Sequence, residues 1–361
     1  MLFGLVSEFN PFHLGHKYLI ENLMHHFPDA KIICIMSGDY VMRGELAIYD
    51  KFTRARSAID GGVDAVFELP AIFSLNNSEK FSYHAIRHLI ELGINGIFFG
   101  AEHADRDLLI SSAKYYQNLK DDTLNKKISF DKNISLNNFI RNSIHEKMGY
   151  MPGSNDMLAL EYISKINEYD KDIKIFPIKR VVNSYNSNID NGYSATAIRN
   201  NILKSDGLYN SNEKIFSLIK TVGITNFIET EGLSDEDINF IYNAIYNSTS
   251  YNELETLSTH KRLSSSRVKR AIIKSILNID ELEQKKYCNS LFIRPLAIKS
   301  NFKNILSNVD KDILIARYRD VENLSQSNRE IYYKNEKFSN LYHSFYDQKK
   351  YTDRTSRIFI K

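Results

Sequence analysis

The chain reads as an α/β protein: a parallel sheet covered on both faces by helices over residues 1–205, followed by a mainly α-helical domain over 206–361. Three observations carry that reading. Short continuous apolar runs recur through the first 180 residues, whereas a sheet with one wet face would alternate apolar and polar positions. Stretches with helical spacing separate those runs, the rhythm of parallel strands joined by crossover helices. Beyond 205 the short runs fade and helical spacing takes over, as in Phe216, Ile219 and Val222, or Val268, Ile272, Ile276 and Ile279.

Taken in order, the first run (1–6) breaks at Pro11, and a helix starts near Gly15. A second run over 31–36 ends at Ser37-Gly38-Asp39. Asp50 is placed to cap a helix through Phe52, Ala55, Arg56 and Ile59 that stops at Gly61-Gly62. Residues 64–69 make a third strand, stopped by Pro70. A helix from Asn76-Asn77-Ser78 then runs through Phe81, Ala85, Ile86 and Leu89 to Gly93. A fourth strand over 96–99 ends at Gly100-Ala101-Glu102, and a later one over 173–178 ends at Lys179-Arg180. Residues 120–150, rich in Asn, Lys, Asp and Ser, read as a polar insertion. Ligands of such sheets bind beyond the carboxyl ends of the strands, where these polar stretches fall.

Composition narrows the classes. At 361 residues, 43% hydrophobic and 25% charged, the chain is long enough for two domains and a well-buried core. No apolar run approaches the ~20 residues that span a bilayer, so no membrane partner is expected. The first run has no basic segment ahead of it and reads as a strand rather than a signal peptide. Cys34 and Cys288 form no metal pattern, which suits a reducing cytoplasm. The net charge of +3 is too small to argue for nucleic acid by itself. No Walker-type loop, zinc cluster or Ser-His-Asp pattern stands out, and no obligate protein partner is implied.

The most informative stretch is Ser7-Glu8-Phe9-Asn10-Pro11-Phe12-His13-Leu14-Gly15-His16, between the first strand and the first helix. Helix N-termini carry unpaired N–H groups and a partial positive charge, so an α/β protein binds phosphate there. His13 on the loop and His16 on the first turn can converge on one anion, and Gly15 leaves the backbone open to it. Imidazole N–H donors would stabilise charge growing on phosphates as an α–β bond breaks.

His13-x-Gly15-His16 resembles the signature of the nucleotidyltransferase superfamily, whose members attack the α-phosphate of a nucleoside triphosphate. The resemblance sharpens when other motifs are added: Glu8-Phe9-Asn10-Pro11-Phe12, Met36-Ser37-Gly38-Asp39-Tyr40-Val41-Met42-Arg43-Gly44-Glu45, Glu68-Leu69-Pro70, Phe99-Gly100-Ala101-Glu102 and Ser194-Ala195-Thr196-Ala197-Ile198-Arg199. Together they resemble the bacterial tRNA(Met) cytidine acetate ligase family. The match spans the first domain, and Ser264-Ser265-Ser266-Arg267-Val268-Lys269-Arg270 extends it into the second. Leu14 stands where the family commonly has Asn, and the second domain is shorter than usual.

The resemblance implies a Rossmann-like nucleotidyltransferase domain and a two-step ligase. Acetate and ATP would give acetyladenylate and pyrophosphate. The N4 amine of the wobble cytidine of elongator tRNA(Met) would then take the acetyl group and release AMP, leaving N4-acetylcytidine. Val6, Ser7, Glu8, Asn10 and Gly15 would line the ATP loop, with His13 and His16 as catalytic groups on the phosphates. Gly100 would admit the adenine or ribose, and Asn155 and Arg180 would contact the nucleotide. Ser194 and Thr196 would cradle the β and γ phosphates beside Arg199. Ser37, Asp39 and Arg43 would lie on the substrate side. Mg2+ is expected with the ATP, although no dedicated carboxylate cage is visible.

For tRNA the expected contacts are Lys261, Arg262, Arg267, Lys269, Arg270 and Lys274, with no acidic residue between Thr256 and Ile279. Arg267, Arg270 and Lys274 share a helical face opposite Val268, Ile272 and Ile276, so the basic stripe is expected to meet phosphates, with solvated helix charges as the alternative. Two other functions fit parts of the sequence. A small-molecule adenylyltransferase of the same fold would not need the large helical domain. A non-catalytic nucleotide-sensing RNA-binding protein would not need both histidines.

Overall fold

A computed structural model describes residues 1–125, 127–128, 135–169, 171–180, 199, 210–222, 233–260, 263–346 and 352–361. Nine strands are placed among them: β1 Leu2–Ser7, β2 Lys31–Ser37, β3 Tyr40–Val41, β4 Glu45–Leu46, β5 Ala65–Leu69, β6 Gly96–Ala101, β7 Lys174–Lys179, β8 Pro295–Ile298 and β9 Phe359–Ile360. The helices in the first half are α1 Leu14–His26, α2 Lys51–Asp60, α3 Ala71–Ser74, α4 Ser78–Glu91, α5 Arg106–Leu124, α6 Leu136–Met148 and α7 Ser154–Ile166. Those in the second half are α8 Asn210–Val222, α9 Asp235–Asn247, α10 Tyr251–Leu257, α11 Ser265–Leu277, α12 Glu281–Lys286 and α13 Gln326–Phe345.

The main sheet runs β7-β6-β1-β2-β5-β8-β9. Its first five members pair in parallel, as the continuous apolar runs require. Each strand divides its side chains between two cores. Ile32, Cys34 and Met36 of β2 join Phe3, Leu5 and Phe98 on one face, whereas Ile33 and Ile35 join Phe67, Ile97 and Phe99 on the other. That two-sided burial explains the absence of alternation in the sequence. The expected helix starts are met by their caps: Asp50 accepts from Thr53 N at 2.9 Å and Asn77 from Lys80 N at 3.0 Å. The polar insertion is partly helical, with α6 packed on α5.

The second half is mainly helical, as expected, with two short strands that join the main sheet. The domain boundary expected near 205 lies outside the described residues. β8 pairs antiparallel with β5, and β9 pairs parallel with β8. Short strands of four and two residues carry too little periodicity to stand out in a helical stretch. The aromatic face of α13 returns as well: Tyr40 Oη donates to Phe338 O, while Tyr342 and Tyr346 Oη donate to Ala47 O. The 38–47 loop at the end of β2 is thereby fixed from the far end of the sequence.

Candidate active site

The loop leaving β1 turns sharply into α1. Phe9 adopts a φ of 43°, a left-handed conformation uncommon for a bulky residue, and the Asn10–Pro11 peptide is cis. The turn is held by complete burial of the Phe9 ring and by Asn10, whose Oδ1 accepts from Ile48 N at 2.8 Å. Arg199, the described member of the expected phosphate cradle, donates Nη1 to Asn10 O at 3.2 Å. Ser194 and Thr196 lie outside the described residues.

His13 is the N-cap of α1, with Nδ1 accepting from Gly15 N at 3.0 Å. His16 Nδ1 accepts from His13 N at 3.2 Å, and the two rings stack with centroids 3.8 Å apart. An imidazole nitrogen that accepts is unprotonated, so both rings carry their proton on Nε2. Burial, then the Arg180 and Arg199 charges, push His13 down to about 4. Burial, then His13 and Arg180, hold His16 well below its ordinary value. At neutral pH the site thus offers two uncharged N–H donors on adjacent rings. Gly15 serves these rings: a Cβ there would lie 2.8 Å from His13 Cε1. The open space expected for a phosphate beside Gly15 is filled by His13 itself.

A second group gathers beyond β6 and β7. Arg180 Nη1 donates to Asn155 Oδ1 at 3.0 Å, and Asn155 Nδ2 donates to Glu102 Oε1 at 2.6 Å. A Cβ on Gly100 would meet Arg180 Cγ at 3.1 Å, so this glycine gives room to the arginine stem. The buried Asp156 carboxylate accepts from the backbone N–H of Glu102, His103 and Gly153, and lies 2.7 Å from His103 Nδ1. Glu102, His103 and Asp156 were not among the expected site residues. The motif Phe99-Gly100-Ala101-Glu102 contained the signal for Glu102, but nothing local to it reveals a partner 53 residues away.

Several expected site residues turn inward instead. Glu8 Oε1 accepts from Met42 N at 2.6 Å, and burial raises its carboxyl above the usual range. Ser7 Oγ accepts from Phe9 N at 3.3 Å, and Val6 is half-buried in β1, so both shape the loop from within. Asp39 is 3% exposed and accepts from Lys51 N and Ser339 Oγ. Below it Lys51 Nζ meets Glu68 at 2.7 Å and Asp353 at 2.8 Å, while Arg294 Nη1 bridges the same two carboxylates at 2.9 Å each. Arg54, 1% exposed, donates to the carbonyls of Glu8, Ser37, Gly38 and Tyr49, tying the ends of β1 and β2 together. Arg43 alone of the Ser37, Asp39 and Arg43 set is exposed.

On the basic helix α11, several of the residues expected to meet phosphates are paired within the fold. Lys274 is 2% exposed and donates to Asn76 Oδ1 at 3.2 Å. Lys269 pairs with Glu45 at 2.9 Å and Glu255 at 3.0 Å, and Arg270 Nη1 donates to Met42 O at 3.2 Å. Gly44, at a φ of +79°, lets the β3–β4 turn touch α11, where a Cβ would fall 2.2 Å from Arg270 N. Helical spacing gave the right face, but partners from the first 80 residues cover it. Arg267 is half-buried on the same helix, and Lys261 and Arg262 lie outside the described residues.

A βα loop with its imidazole pair on a helix N-terminus, at the carboxyl edge of a parallel sheet, defines a nucleotidyl transferase of the HIGH class, and the HIGH nucleotidyl transferase family model matches residues 1–357. The tRNA(Met) cytidine acetate ligase of Clostridium acetobutylicum is 32% identical over 317 residues, 77% of this chain and 79% of that protein. Its counterpart in Thermoanaerobacter pseudethanolicus is 30% identical over 348 residues, 86% of each. Thermotoga maritima TmcAL bound with alpha-thio ATP superposes with a TM-score of 0.82 at 25% identity over 99% of both chains. The chain belongs to the tRNA(Met) cytidine acetate ligase family of HIGH nucleotidyl transferases.

Proposed function

We propose that the protein joins acetate to the N4 amine of the wobble cytidine of elongator tRNA(Met) at the expense of ATP. The observation that carries this reading is the pair of neutral Nε2–H donors at the α1 N-terminus, in a chain of this family. In the first step an acetate oxygen attacks the α-phosphorus and the bond to the bridging oxygen of pyrophosphate breaks. His13 and His16 donate to the phosphate oxygens whose charge grows, with no prior protonation needed. In the second step N4 attacks the acetyl carbonyl, the bond to AMP breaks, and N4 loses a proton. Adenylation is what makes the weakly nucleophilic cytosine amine reactive enough to acylate.

Asn155 and Arg180 are assigned to the nucleotide, and Gly100 to the space around them. Among the described residues no group of three or more His, Cys, Asp or Glu side chains forms a metal site. Mg2+ would therefore arrive as the counter-ion of the triphosphate. Arg267, Lys261 and Arg262 keep the assignment to tRNA phosphates, joined by the exposed Arg43. Among the described residues no helix is long and apolar enough to cross a membrane, and a cytoplasmic setting goes with tRNA as substrate.

The test is acetate-dependent ATP–pyrophosphate exchange, followed by nucleoside analysis of elongator tRNA(Met) incubated with ATP and acetate. Exchange together with N4-acetylcytidine is the expected result. Exchange without modified tRNA would overturn the acceptor. ATP binding without acetate-dependent exchange would move the protein to a different adenylyl acceptor or to nucleotide sensing.

A further inference from the structure

We propose that Glu102 is a positioning residue of the nucleotide site, one that orients the Asn155 amide and through it holds Arg180 beside the paired imidazoles. The proposal rests on the reading of Asn155 and Arg180 as nucleotide contacts.

The argument begins with what a carboxylate can do. Ionised, it accepts hydrogen bonds and donates none. Its Oε1 lies 2.6 Å from Asn155 Nδ2, which fixes which end of that amide faces it. The Asn155 oxygen is left pointing the other way, where Arg180 Nη1 reaches it at 3.0 Å. A flipped amide would set its NH2 group against a guanidinium and its oxygen against a carboxylate, so both bonds would be lost at once. The Arg180 side chain is otherwise exposed, and a long cation in solvent samples many rotamers unless something holds its head. The same guanidinium lies close enough to depress both histidines, so its placement is felt at the α1 N-terminus.

Two glycines make room for this relay. A Cβ on Gly153 would sit 2.5 Å from the Glu102 carboxyl carbon and 2.7 Å from Oε2, and a Cβ on Gly100 would press on the Arg180 stem. Helix capping accounts for part of the geometry, but not for the bond to the Asn155 side chain. Glu102 does take the N–H of Asn155 at 3.3 Å and of Asp156 at 2.8 Å. At the start of α7, Asp156 folds back only to the N–H of Gly153 at 3.1 Å, and Gly153 has no side chain to cap with, so Glu102 also caps the first turn of α7. The shortest bond Glu102 makes goes to a side chain. The relay thus unites three stretches that the sequence presents separately: the end of β6, the start of α7 and the end of β7.

The experiment is a double-mutant cycle read as the ATP dissociation constant by calorimetry, with thermal melts in parallel. Glu102→Ala is expected to weaken ATP roughly ten-fold, the scale of one hydrogen bond to a charged group. In an Asn155→Ala background the same change should weaken it less than about two-fold, because the relay is already cut. Glu102→Gln, which keeps an acceptor of the same reach, should recover part of the loss. Gly153→Ala, which displaces the carboxylate without removing it, should weaken ATP in the same direction. Additive effects, or a lowered melting temperature with unchanged ATP affinity, would overturn the relay and leave Glu102 a helix cap. Wild-type protein that binds no ATP would overturn the nucleotide-site reading and this proposal with it.

Discussion

Two regions at the carboxyl edge of the same sheet use charge in opposite ways. At the α1 N-terminus, the Nδ1 atoms of His13 and His16 accept from backbone N–H groups, which leaves the proton on Nε2, the donor proposed for the phosphates. Beyond β2 and β5, Asp39, Lys51, Glu68, Arg294 and Asp353 satisfy one another and are nearly sealed from water. Burial alone would raise the Asp353 carboxyl, yet Arg294 and Lys51 outweigh it and hold it below the usual carboxylate range. Both regions draw on motif residues, so a motif does not announce whether its polar groups face a substrate or each other. What separates them is the number of partners the fold brings to each group. The ion cluster joins residues up to 302 positions apart, while the imidazole pair is built within four consecutive residues.

The largest effect expected from this contrast is at Lys51. Lys51→Ala removes the cation that the buried Asp39, Glu68 and Asp353 share, and breaking such a pair costs about 3–5 kcal/mol. The melting temperature should fall steeply or folding should fail. A variant that melts like wild type would show that the cluster is not sealed. Next comes His16→Ala, which removes one of the two Nε2–H donors proposed to meet the phosphates. Acetate-dependent pyrophosphate exchange should drop ~10²–10³-fold, as for loss of one such donor, while the melting temperature moves far less than in Lys51→Ala. Near-normal exchange would erase the functional half of the comparison.

The smallest effect is in pH. His13 is held at about 4, so between its ordinary 6.5 and that value the unfolded chain binds a proton the folded chain refuses. Stability contributed by His13 is therefore complete above 6.5 and is lost as pH falls toward 4. The buried His88, also pushed down to about 4 by burial, adds to the same slope. His13→Asn, which retains a capping side chain, should flatten part of the decline in melting temperature from pH 7 to 4.5. Equal slopes for the two proteins would mean that His13 is not shielded.

The sequence by itself determined the parallel sheet, the helix caps at Asp50 and Asn77, and the placement of His13 and His16 at the start of α1. These features are local: a cap lies within three residues of its partner, and two-sided burial of a strand is written in its own apolar run. Tertiary structure alone decided that β8 and β9 close the sheet, that Lys274 and Asp39 point inward, and that Glu102 reaches Asn155. Each of these depends on a partner far along the chain, and a side chain's own sequence neighbours carry no record of what will be packed against it. A basic face on a helix is therefore legible as a face; whether it meets a phosphate or a glutamate is set by what folds over it.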